Sequence, residues 1–124
     1  MNCKFCDISK KDYIFENDLA YAIFDKFPVN KGHILVIPKR HFPNYFNATP
    51  EEIVAMNDII HKVKTFLDKK EKPDGYNVGV NVNEAAGQTI FHMHIHIIPR
   101  YIGDQEDPRG GIRKIKEQLV DYKG

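Results

Sequence analysis

The segment that most constrains the fold is His92-Met93-His94-Ile95-His96-Ile97, in which histidine alternates with apolar residues. Side chains of a strand alternate between its two faces. The run therefore predicts a strand with Met93, Ile95 and Ile97 turned to a core and three imidazoles turned the other way. Such a strand needs cover on one side only, as in an antiparallel sheet with a single packed face. Adjacent imidazoles repel when protonated and leave unmet hydrogen bonds when buried neutral, so packing alone does not favour them. Their chemistry does: imidazole can serve as nucleophile, general acid or base, or metal ligand, all near neutral pH.

Upstream, Ile14 to Glu16 and Ala20 to Phe24 are short strand-like runs around the turn-forming pair Asn17-Asp18. Gly32 to Pro38 is a nearly continuous apolar run, which predicts a central strand closed by Pro38, with His33 at its start. Thr49-Pro50-Glu51-Glu52 combines an N-cap threonine, proline at the first helical position and glutamate three residues after the cap. It opens a helix predicted over roughly Pro50 to Lys69, with Ile53, Met56, Ile60, Val63 and Leu67 as its apolar stripe. Tyr76 to Asn83 alternates apolar residues with Asn and Gly, a strand with one polar face. A small-residue turn, Ala85 to Gln88, joins it as a hairpin to a histidine strand over Thr89 to Pro99, placing Asn81 beside the histidines. Ile112, Ile115 and Leu119 fit a short C-terminal helix. The predicted fold is α+β, an antiparallel sheet of about five strands with one long helix packed on it, in one domain over residues 1–124.

A formal charge of +1, with Lys and Arg spread along the chain, gives no electrostatic reason to expect a nucleic-acid partner. No apolar run approaches a membrane span, and Met1 to Lys11 lacks the apolar stretch of a signal peptide, so a cytoplasmic protein without a membrane partner is expected. In that reducing setting the pair Cys3-x-x-Cys6 suggests a metal or redox element, or two small buried thiols. Redox pairs of the thioredoxin kind follow a strand and open a helix, whereas this pair precedes every predicted element. Two cysteines alone cannot complete a four-ligand zinc site.

HMHIHIIPR, together with CKFCDI, AIFDKFPVNKGHILVIPKRH and NVNEAAGQTIF in this order, resembles the histidine-triad (HIT) family of nucleotide hydrolases and transferases over most of residues 3 to 101. The resemblance implies a nucleotidyl hydrolase or transferase acting at the α-phosphorus of purine nucleoside phosphoramidates, acyl-adenylates or dinucleoside polyphosphates. His94 would be the nucleophile, forming a nucleotidyl-histidine, and the backbone carbonyl of His92 would hold the other nitrogen of His94 as a donor. His96 would assist the phosphate or leaving group, with His33 beside it. Asn81, Gln88 and Thr89 would contact the phosphate, Gly87 would let the backbone approach it, and Asp25 would bind the ribose. Phe5, Ile8 and Ile23 match base-pocket positions, whereas Lys4 stands where some relatives carry an apolar contact.

Zinc-containing relatives imply a structural zinc site of Cys3, Cys6, His41 and His92. The family also implies a homodimer paired through the long helix and a strand. Two alternatives predict different outcomes: a purine-nucleotide-binding adaptor with incidental activity, and a metal-handling protein with its ion on His94 and His96.

Overall fold

The computed structural model describes residues 3–116. Its first hairpin is built on Asn17, whose Oδ1 accepts from the backbone N–H groups of Leu19 and Ala20 at 3.1 and 3.0 Å while its Nδ2 donates to Ala55 O. That side chain turns strand β1 (Phe15–Glu16) into β2 (Ala20–Phe24) and ties the turn to the helix. Three further strands, β3 (Ile34–Pro38), β4 (Gly75–Gly79) and β5 (Ile95–Arg100), complete an antiparallel sheet in the order β1-β2-β3-β5-β4.

The helix α1 spans Pro50–Lys70 and starts at the predicted capping box. Thr49 Oγ1 accepts from Glu52 N at 3.1 Å, and Glu52 Oε1 accepts from Thr49 N at 2.8 Å. The same carboxylate, only 4% exposed, receives Arg40 Nη2 at 2.8 Å and Arg40 Nε at 3.0 Å. The guanidinium holds the Glu52 carboxyl below its ordinary pKa, and the pair pins the chain next to His41 to the start of the helix.

Strand alternation divides the interior in two. Ala20, Ala22, Ile34, Val36, Met93, Ile95 and Ile97 pack beneath Met56, Ile59, Val63 and Leu67 of α1. Tyr21, Ile23, Leu35 and Ile37 point to the other face, where Cys3 and Phe5 cover them. The apolar side of the histidine run therefore lies under the helix, and its imidazoles face the opposite way, as the alternation predicts.

Several boundaries differ from the sequence expectation. The histidine strand enters the ladder only at Ile95, not Thr89: β3 pairs with β5 only over Ile34 to Val36, and further along Pro38 has no N–H to offer while its carbonyl faces the His92 ring. Met93 N instead donates to Phe42 O at 2.9 Å. On the other side β4 ends at Gly79 rather than Asn83, so residues 80–94 form a long connection instead of a tight hairpin. The C-terminal helix is, among the described residues, a 3-10 turn at Gly111–Arg113; Ile115 is exposed and Leu119 lies outside the described residues.

Gly32 holds the entry to β3 in a left-handed conformation, φ +93°, and a Cβ there would sit 3.1 Å from Leu67 Cδ2 and 3.2 Å from both Glu71 Cγ and Pro99 Cγ. Ala at such a φ costs about 1–2 kcal/mol before any crowding. Gly32→Ala is expected to lower unfolding free energy by about 2 kcal/mol or more, measured by urea denaturation. An unchanged midpoint would mean that the loop relaxes freely.

Candidate active site and metal centre

The face away from α1 carries two histidine clusters joined at His92 and His94. Register sets the floor of the first: Ile23, Leu35, His96 and Gly79 are successive cross-strand partners from β2 to β4. Above this line opens a cleft of about 1160 Å³. Its walls come from the N-terminal segment (Lys4, Phe5, Asp7, Ile8), the end of β2 (Ile23, Asp25, Phe27) and the 81–90 connection. His94 and His96 reach it from below.

Each imidazole has a defined partner. His94 Nδ1 lies 2.9 Å from the carbonyl oxygen of His92, which can only accept, so Nδ1 carries the proton and Nε2 keeps its lone pair. Phe5 stands edge-on to that ring, with centroids 4.9 Å apart, held by a hydrogen bond from Tyr21 Oη to Phe5 O. His96 Nδ1 lies 3.0 Å from His33 Nε2, and His33 Nε2 also lies 3.3 Å from Asp25 Oδ2. Burial pushes the pKa values of His33 and His94 down, opposed by Asp25 at His33 and by the His92 carbonyl and then Asp25 at His94. Burial, with His94 and His33 adding to it, pushes His96 down to about 4. All three rings are thus neutral at neutral pH.

A depressed folded-state pKa means that the unfolded chain binds the extra proton first. His96 therefore contributes stability that is complete above the ordinary histidine pKa of about 6.5 and is lost as pH falls through about 4. Thermal melts should show Tm declining between pH 7 and pH 4, and His96→Asn should remove on the order of 5 °C of that decline. Identical pH slopes for the two proteins would contradict the burial argument.

The residues expected to meet a substrate, Phe5, Ile8, Ile23, Asp25, Asn81, Gly87, Gln88 and Thr89, all line the cleft. His33 does not; it stands behind His96. Gln88 is 3% exposed and spans the connection: Oε1 accepts from Asn83 N, while Nε2 donates to Pro43 O and Ile90 O. Its amide shapes the rim on which Gly87 sits at φ +95°. Asp25 Oδ1 accepts from Phe27 N at 2.8 Å, a turn cap that leaves Oδ2 toward His33. Sequence reasoning missed Leu35, although alternation from His33 places it on the same face, and it missed Lys26 and Phe27, for which no sequence signal exists.

The second cluster gathers Cys3, Cys6, His41 and His92, with their ligand atoms all within 4.8 Å of one another. His92 Nδ1 lies 3.4 Å from Cys3 Sγ, 3.6 Å from Cys6 Sγ and 3.1 Å from His41 Nδ1, and His41 Nδ1 lies 3.5 Å from Cys6 Sγ. Tetrahedral zinc with ordinary bond lengths requires S···N edges of about 3.6 Å and N···N edges of about 3.3 Å. The donors fit that figure. His92 Nε2 also donates to Pro38 O at 2.7 Å, fixing the tautomer that leaves Nδ1 free to bind a metal.

The HIT domain profile matches residues 8–103. The chain belongs to the HIT family. As a HIT protein it is an enzyme of the nucleotide-binding hydrolase and transferase class. An adenylylsulfatase of Arabidopsis thaliana is 38% identical over 103 residues, 80% of this chain and 52% of that protein. A zinc-bound histidine triad protein from Mycobacterium smegmatis superposes with TM-score 0.77 at 34% identity, covering 86% of this chain and 81% of that one. A Plasmodium falciparum diadenosine triphosphate hydrolase, crystallised with cyclomarin A, superposes with TM-score 0.74 at 27% identity, covering 81% and 68%. The HIT fold of those structures is the five-stranded sheet with one long helix described above. Among the described residues no helix is long and apolar enough to cross a membrane.

Proposed function

We propose that this HIT protein cleaves purine nucleoside 5′-phosphoryl compounds at the α-phosphorus through a nucleotidyl-His94 intermediate. One observation carries the reading: His94 presents an unprotonated Nε2 to the cleft because its Nδ1 proton is held by the His92 carbonyl. The Nε2 lone pair attacks phosphorus, the bond to the leaving group breaks, and the leaving group departs with that electron pair. Water or another acceptor then attacks the same phosphorus and the P–N bond breaks. His96 donates toward the phosphoryl oxygens or the leaving group, and Asn81, Thr89 and the backbone at Gly87 receive the phosphate. Asp25 binds the ribose hydroxyls, and Phe5, Ile8 and Ile23 flank the base. The Arabidopsis and Plasmodium relatives are named for adenosine 5′-phosphoryl substrates, which supports the substrate class.

Cys3, Cys6, His41 and His92 are proposed to hold a structural zinc ion, closed to substrate by its four protein ligands. The zinc-bound mycobacterial relative and the donor spacing support it. A reducing cytoplasm would keep the two free thiols available. Edge strand β4 with half-exposed Val78, and exposed Val54 on α1, support a homodimer paired through these elements. A sedimentation mass of one chain would remove that proposal.

The functional test is a turnover screen over an adenosine phosphoramidate, an acyl-adenylate and diadenosine polyphosphates, with the quenched enzyme analysed by mass spectrometry. A nucleotidyl group on the peptide containing His94 is expected. Tight AMP binding with no turnover of any of these would indicate an adaptor instead.

A further inference from the structure

Among the described residues two clusters bring histidines within ligand distance of cysteine or aspartate side chains, and their main-chain partners give them opposite chemistry. At His92 the partner is an acceptor, Pro38 O, so the ring turns a bare nitrogen toward Cys3 and Cys6. At the cluster of Asp25, His33 and His96 the partner is a donor: Val29 N lies 3.0 Å from His33 Nδ1. A backbone amide can only donate, so His33 Nδ1 is bare and the proton of the neutral ring sits on Nε2. Asp25 Oδ2, 3.3 Å from Nε2, is placed to accept from the same N–H, and His96 Nδ1 lies 3.0 Å from it. A protonated Nε2 cannot ligate a metal. This cluster is a hydrogen-bond chain rather than a second ion site.

We propose that the Val29 amide and His33 are a positioning relay that holds His96 in the tautomer with its proton on Nε2. The amide fixes the proton of His33 on Nε2, that proton is donated to His96 Nδ1, and the proton of neutral His96 is left on Nε2, the nitrogen remaining for the cleft. The neighbouring cleft histidine has the reverse arrangement, with Nδ1 protonated and Nε2 bare. One main-chain carbonyl and one main-chain amide thus make an acceptor and a donor of two otherwise identical rings, whose centroids are 5.1 Å apart. Phosphoryl transfer needs both: a lone pair to attack and an N–H to meet charge on the phosphate or leaving group. The catalytic consequence rests on the proposed reaction; the tautomers do not. The Val29 side chain is 66% exposed, so this residue acts through its backbone.

The test uses the full-length, metal-loaded protein labelled with 15N in its imidazoles, at neutral pH. His96 resonances are identified by their loss in His96→Asn. In the wild type we expect Nε2 at the protonated, pyrrole-type position and Nδ1 at the pyridine-type position, with Val29→Ala matching it because the amide is retained. Val29→Pro removes the amide proton, and His33→Phe removes the donor while keeping a ring in the buried site. Both should move the two His96 nitrogens toward averaged shifts. Both should also lower kcat on an adenosine phosphoramidate roughly ten-fold, with KM changed less than about two-fold. If Val29→Pro fails to fold, His33→Phe decides alone. A wild-type His96 protonated on Nδ1, or His96 shifts unmoved in the folded variants, would overturn the relay. The expected tautomers in a protein that turns over none of the substrates would keep the relay and remove the proposed reaction.

Discussion

His94→Asn is expected to lower kcat on any adenosine 5′-phosphoryl substrate by on the order of 10⁴-fold or more, while leaving the fold and AMP binding in place. Asparagine can keep the hydrogen bond to the His92 carbonyl but has no lone pair of imidazole basicity to offer phosphorus. The ring meets Phe5 and His96 through edge contacts besides that hydrogen bond, so the packing cost is small compared with the chemical one. Initial rates together with AMP titration by calorimetry separate the two effects. Turnover persisting within ten-fold of the wild type in a pure, folded variant would remove His94 as the nucleophile.

The second large effect concerns the N-terminal metal centre. At free zinc 1,000-fold above the dissociation constant, a bound ion contributes about 4 kcal/mol of folding stability. Chelation or Cys3→Ser is therefore expected to lower Tm by roughly 10–20 °C and to remove one zinc per chain. The consequence reaches the cleft, because Lys4, Phe5, Asp7 and Ile8 are carried into its wall by the segment that Cys3 and Cys6 anchor. KM should rise as that wall loosens. His94→Asn should retain its zinc, whereas an ion held by the triad itself would be lost with His94. A Tm unmoved by complete zinc removal would contradict a structural role.

Local signals in the chain carried most of the fold. The Thr49-Pro50-Glu52 box marks the first turn of α1, and the alternation of Met93, Ile95 and Ile97 identifies the buried face of the histidine run correctly. Failures arose where structure depends on a distant partner. Whether Thr89 to His94 joins the sheet is decided by how far β3 pairs with β5, which stops at Val36 and Ile95, and no periodicity within residues 89–94 reports that. The C-terminal pattern of Ile112 and Ile115 does not report burial: Ile112 lies against β4 at Gly79 yet both side chains stay largely exposed.

The candidate site was legible by composition and opaque in its proton positions. Residues quoted from the family motifs converge on one cleft and one metal-ligand cluster. Which nitrogen of His33, His92 and His94 bears a proton is set by Val29 N, Pro38 O and His92 O, main-chain groups that leave no signal in the residue types beyond excluding proline at position 29. Gln88 belongs to the same class of hidden feature: its buried amide braces the 83–90 connection, a role invisible in AGQT as text.

The central claim is a double displacement at phosphorus through His94. Its most direct measurement is the stereochemical course of cleavage with a substrate chiral at the α-phosphorus, read by 31P NMR of the product nucleotide. Two successive in-line displacements invert the centre twice, so overall retention of configuration is the predicted result. Overall inversion would mean that the acceptor attacks phosphorus directly, and would contradict a nucleotidyl-histidine intermediate.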